Sequence, residues 1–67
     1  FPSPMEPNVF CIKSPTHKLI YFMTSNEWKL FDLKNDPNER NNIYNTGVKL
    51  ENILKENLLL WINRDII

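Results

Sequence analysis

The sequence predicts an α+β fold, a small antiparallel sheet of three to four strands in a meander with one C-terminal amphipathic helix packed on one face. Three observations carry this. Runs rich in strand formers, from Asn8 to Lys13, His17 to Met23 and Glu27 to Leu33, are separated by the turn-forming triplets Ser14-Pro15-Thr16 and Thr24-Ser25-Asn26. Apolar residues at Leu50, Ile53, Leu54, Leu58 and Trp61 then recur at the spacing of a helix face. Finally, 67 residues suffice for one small domain.

The chain opens with three of its five prolines, Pro2, Pro4 and Pro7, so residues 1–8 are expected to be an extended lead-in without secondary structure. Residues 9–33 hold the antiparallel strands. Asp36-Pro37-Asn38-Glu39 follows with a helix cap, a proline at the first helical position and a glutamate at capping-box spacing. A single capped helical turn is therefore expected over 36–42. Asn45-Thr46-Gly47 breaks the chain again, and Thr46 or Asn45 can cap the helix expected over 47–63. Glu51 and Lys55, four apart in the favourable order, are placed on its outer face.

Strand alternation gives the sheet an unusual property. Leu19, Tyr21 and Met23 point one way while Ile20 and Phe22 point the other; Trp28 and Leu30 likewise oppose Phe31 and Leu33. Both faces are apolar, and one helix covers only one. The second face is expected to be an exposed patch that marks an interface, and to drive self-association of the isolated chain.

Composition narrows the function. Eight basic and eight acidic residues leave a formal charge of zero, and like charges never run together, so nothing marks a nucleic-acid or anionic-membrane partner. No apolar stretch approaches the roughly 20 residues of a membrane span. The lone Cys11, between Phe10 and Ile12, reads as a buried structural thiol. Asp32, Asp36 and Glu39 lack the alternating oxygen ligands of a calcium loop and read as turn and cap residues. Ser3, Ser14 and Ser25 have no neighbouring base, and a single glycine excludes a Gly-rich phosphate loop. Tyr21, Phe22, Trp28 and Phe31 have no basic patch around them, so packing rather than base stacking is expected. The first residue is Phe rather than Met, which reads as a segment cut from a longer chain.

Lys18-Leu19-Ile20, then Glu27-Trp28-Lys29-Leu30-Phe31-Asp32-Leu33, then Asp36-Pro37-Asn38-Glu39-Arg40-Asn41-Asn42-Ile43 resemble the C-terminal subdomain of sulfatases, in the alkaline phosphatase-type superfamily. Members carry a Lys-Leu-Ile strand, a Glu-Leu-Tyr-Asp-Leu strand, an Asp-Pro-x-Glu-x-x-Asn-Leu turn and a final amphipathic helix. Here Phe31 replaces the usual Tyr and Ile43 the usual Leu, and the resemblance spans about residues 9 to 63.

It implies a parent that hydrolyses sulfate esters or sulfamates with a formylglycine nucleophile and a divalent metal, usually calcium. The implied partner of this segment is the large catalytic domain of the same chain. The formylglycine motif, Cys/Ser-x-Pro/Ala-x-Arg, is matched neither at Cys11-Ile12-Lys13-Ser14 nor at Ser3-Pro4-Met5-Glu6-Pro7, so no catalytic or metal-binding residue transfers. Some members shape the substrate pocket with residues of this subdomain, and His17 and Lys18, at the first hairpin, are the candidate substrate contacts. Two rival readings share the architecture. One is an independent protein-interaction module using an apolar sheet face, the other the same subdomain of a phosphate- or phosphonate-ester hydrolase.

Overall fold

A computed structural model describes residues 2–66. Four strands, β1 (Pro2–Glu6), β2 (Val9–Lys13), β3 (His17–Phe22) and β4 (Glu27–Asp32), form one antiparallel sheet in sequence order. The helix α1 (Leu50–Trp61) follows and widens into a π-helical turn over Ile62–Ile66. The α+β meander with a C-terminal helix is thus the observed architecture.

The first strand corrects the expectation of an unstructured lead-in over 1–8, of which Phe1 lies outside the described residues. Pro2 pairs with Ile12, Ser3 with Cys11 and Pro4 with Phe10, before a register shift between Pro4 and Glu6. Proline is compatible with a strand when its missing donor falls on a free edge. Pro2 and Pro4 are two residues apart, so their nitrogens point the same way and strip donors from one side of the strand. Edges blunted in this manner resist pairing with other chains. Turns between the strands use left-handed asparagines, Asn8 at φ 65° and Asn26 at φ 56°, a conformation that asparagine tolerates well.

One face of the sheet packs on the helix. Phe10, Ile12, Leu19 and Leu30 from the strands meet Leu54, Leu58 and Ile62 in a single apolar cluster. Leu19, Leu30 and Leu58 are all 0% exposed, and each contributes about 1.5–3 kcal/mol by leaving water. A row of aromatic rings extends this layer across the strands. The register sets Phe10 beside Tyr21 and Tyr21 beside Trp28. Tyr21 stacks on Trp28 at 4.3 Å between centroids, and Tyr44 stacks on Trp28 at 6.0 Å. Trp61 meets Phe10 edge-on at 6.0 Å. Lys55 ends the row, with Nζ 4.8 Å from the Trp28 ring and donating to Tyr44 Oη at 2.7 Å.

The helix departs from expectation at its start and on one face. Thr46 does not cap it; its hydroxyl donates to the Ile43 carbonyl at 2.6 Å, and the N-cap Lys49 makes no side-chain capping bond. Glu51 turns inward instead. It is buried, and its Oε1 accepts the N–H of Asn45 at 2.6 Å while lying in the first helical turn, where a negative charge is favoured. Glu51 and Lys55 are therefore engaged with the loop and the aromatic row rather than set on an outer face. Ile53, expected inside, is 57% exposed, and Ile62 is buried in its stead.

Leu58→Ala should lower stability by about 2–5 kcal/mol, because it empties a site with no exposed surface. Ile53→Ala should stay within about 0.5 kcal/mol. Urea midpoints of the two variants check this assignment of the helix face, and equal losses would invert it.

Candidate functional site

The candidate substrate contacts, His17 and Lys18, begin β3 at the end of the sheet where the loop after β4 returns. The hairpin that presents them is organised by Ser14. Its Oγ accepts the backbone N–H of His17 at 2.9 Å and that of Thr16 at 3.3 Å. The Ser14 N–H in turn donates to the His17 carbonyl at 2.9 Å, closing the turn around Pro15. The His17 ring is held at Nδ1 by the Thr16 hydroxyl, 2.7 Å away. Lys18 is less available than the sequence suggests. Its Nζ lies 3.1 Å from Glu39 Oε1, and its side chain is only 12% exposed.

His17 pairs across the sheet with Asp32, which places a hydroxyl, an imidazole and a carboxylate close together. They do not form a nucleophilic triad. The Asp32 carboxylate is committed to its own turn, accepting from the Asn35 side-chain amide at 2.8 Å and from the backbone N–H groups of Lys34 at 3.1 Å and Asn35 at 3.3 Å. The Asn35 amide is the chief reason its carboxyl titrates below the ordinary 3.8, helped by those backbone donors and by the charge of His17.

The Asp-Pro-x-Glu-x-x-Asn stretch is a three-point clamp. Asp36 accepts the N–H of Arg40 at 3.0 and 3.1 Å and that of Asn41 at 2.9 Å. Glu39 reaches over to Lys18. Asn42 Oδ1 accepts the N–H of Leu30 at 2.9 Å and of Tyr44 at 3.0 Å, and the Ile43 N–H donates to the Leu30 carbonyl at 2.8 Å. The outer edge of β4 is thereby closed at Leu30, one of its two buried residues.

This geometry corrects the expected helical turn over 36–42. Asp36 caps no helix: its carboxylate accepts from the backbone of Arg40 and Asn41, four and five residues on, and Glu39 adopts φ 55°, a left-handed conformation that stops a helix. The reciprocal half of a capping box is also blocked, because the Asp36 N–H already donates to the Asp32 carbonyl at 2.7 Å. The sequence singled out the motif but not the work of Asn42. Its signal was available as the last polar position of the motif, directly before the apolar Ile43.

Nothing in these residues fits the formylglycine or calcium that the resemblance implies for its parent. Among the described residues no group of three or more His, Cys, Asp or Glu could hold a metal ion. Cys11 is 3% exposed on the sheet face away from the helix, 3.4 Å from Ser3 Oγ.

A carbon-detected titration of Asp32 should place its carboxyl below 3.8, and Asn35→Ala should bring it back toward that value. Because the folded value is depressed, the stabilising contribution is present above 3.8 and is lost as pH falls through the folded value. Asp36→Ala should cost about 0.5–1.5 kcal/mol, the net worth of an intramolecular hydrogen bond, measured as a shift in the urea midpoint. An unchanged midpoint would remove its part in the clamp.

Among known families, residues 3–63 match the one described as N-sulphoglucosamine sulphohydrolase, C-terminal. No curated protein matches the chain. The match takes in every strand but the first residue of β1, the whole clamp and all of α1. The chain belongs to the family of N-sulphoglucosamine sulphohydrolase C-terminal domains.

Proposed function

We propose that this chain is the structural C-terminal subdomain of a sulfohydrolase, and that its partner is a large catalytic domain in the same protein that hydrolyses sulfate esters or sulfamates with formylglycine and calcium. The observation that carries this reading is the clamp. Each chemistry-bearing side chain of the family-like motif is used to build the fold: Asp36 on Arg40 and Asn41, Glu39 on Lys18, Asn42 on Leu30 and Tyr44. Together with the family match, this assigns the segment a scaffolding role.

The hairpin bearing His17 is the part we assign to the mouth of the substrate pocket. The hydroxyl of Thr16 fixes the His17 ring, and the turn around Ser14 fixes its backbone. Lys18, held by Glu39, supports that end of the sheet. The remaining apolar surface of the chain is concentrated on the outer side of α1, where Ile53, Leu59 and Leu60 are 57%, 42% and 53% exposed. In this reading the catalytic domain covers that ridge; the second sheet face, through which the isolated chain was expected to self-associate, is not the exposed patch expected, since Cys11, Ile20 and Phe31 at its centre are buried.

The test is hydrolysis of an aryl sulfate and of N-sulphated glucosamine by the full-length protein, compared with the same protein lacking residues 1–67. Cleavage by the first and loss of activity or solubility in the second are expected. A full-length protein that ignores both sulfates but cleaves a phosphate or phosphonate ester would overturn the reaction assignment. Full activity in a soluble truncated protein would overturn the structural role.

A further inference from the structure

The face of the sheet turned away from α1 is apolar, yet its centre is not open to water. Cys11, Ile20 and Phe31 form a second cluster there and are only 3%, 5% and 6% exposed, with Val9, Phe22 and Leu33 around them. Among the described residues no helix or strand lies over this face, since the contacts of α1 are with β1, β2 and β3 on the other side. The register places lysines on it. Lys18 is the cross-strand neighbour of Phe31, and Lys29 is the cross-strand neighbour of Ile20. Both lysines therefore rise from the same face as the cluster. The ammonium of Lys29 lies 5.2 Å from the Phe22 ring. Lysine stems cover apolar surface in this manner while keeping the charge near water.

Lys13, the cross-strand neighbour of Lys18 in β2, rises from this face as well, and Lys18 and Lys29 are held differently. Lys29 rests on a ring of the cluster itself. Lys18 is fastened from outside by Glu39, which belongs to the loop after β4 and lies 21 residues further along the chain. That loop is held in a shape that glutamate disfavours, with Glu39 at φ 55°. We propose that the Lys18–Glu39 pair is an ionic latch that pins the Lys18 stem over Phe31 and keeps the second apolar face closed. Releasing the latch frees both the stem and the left-handed turn, and uncovers Phe31, Ile20 and Cys11 without disturbing the helix-side core. The latch stands on this geometry alone and does not depend on what the parent hydrolyses.

Cys11 is the single cysteine of the chain and lies inside the cluster, so its alkylation reports directly on opening. The measurement is the rate of iodoacetamide labelling in the whole protein, read by mass spectrometry at the peptide carrying Cys11, at several low urea concentrations. Glu39→Gln removes the charge and keeps the shape; Lys18→Met keeps an apolar stem and removes the charge. Each should speed labelling by up to about fivefold, the range expected for a partly exposed ion pair. The double variant should be no faster than either single one, because both changes break the same interaction. The urea dependence should be shallow, as for a local opening. Labelling rates unchanged in both single variants, or effects that simply multiply in the double variant, would overturn the latch. So would a urea dependence as steep as that of global unfolding.

Discussion

The contact on which the rest of the structure depends is the seam between α1 and the middle of the sheet, where Leu58 meets Leu19 and Leu30 with no exposed surface on any of the three. A domain of this size buries a modest fraction of its surface, so a few fully buried side chains carry much of its stability. The aromatic row from Trp61 through Phe10, Tyr21 and Trp28 to Tyr44 continues the seam sideways, and Lys55 ties its far end to the helix. Helix position, sheet register and the loop before α1 are thus mutually dependent. Glu51 belongs to the same logic, since its buried carboxylate receives the Asn45 N–H and fixes where the helix begins.

A second constraint follows from the first. The helix takes one face of a sheet whose two faces are both apolar, and the described residues form no other layer. The chain answers with local devices: lysines on the second face, one of them with its ammonium over the Phe22 ring, and a clamp that folds residues 36–43 back onto the edge of β4. The clamp gives the family motif a physical meaning. Its acids and amides are spent on backbone donors and on one lysine, which is the chemistry of a scaffold. The segment's place in a sulfohydrolase, as we read it, is to hold a hairpin and a hydrophobic ridge in fixed positions.

Much of this was legible in the sequence. Strand alternation separated Leu19 and Leu30 from Ile20 and Phe31 correctly, and the three-and-four spacing found the helix and its buried Leu54 and Leu58. Other features depended on tertiary context. Pro2 and Pro4 argue against a strand unless the strand is known to be an edge, which no local pattern states. Capping-box spacing at Asp36 and Glu39 favoured a helical turn, but the Asp36 donor was claimed by Asp32 and Glu39 was drawn to Lys18, a residue remote in sequence. Ile53 and Glu51 exchanged places for a similar reason. Periodicity ranks residues by polarity, whereas the loop at Asn45 required an acceptor on the inner side of the first turn. His17 and Lys18 were found at one end of the sheet as expected, but the ion pair that covers Lys18 could not be foreseen from spacing.

The central claim is that the Asp-Pro-x-Glu-x-x-Asn motif is a structural clamp on the edge of β4. The most direct test is hydrogen exchange at the amide of Leu30, whose acceptor is the Asn42 side chain. The account requires that this amide be protected in the unaltered chain and lose protection selectively in Asn42→Ala, while amides bonded between β2 and β3 exchange as before. If the Leu30 amide exchanges equally slowly in both proteins, the motif does not close the edge, and the scaffolding assignment built on it fails.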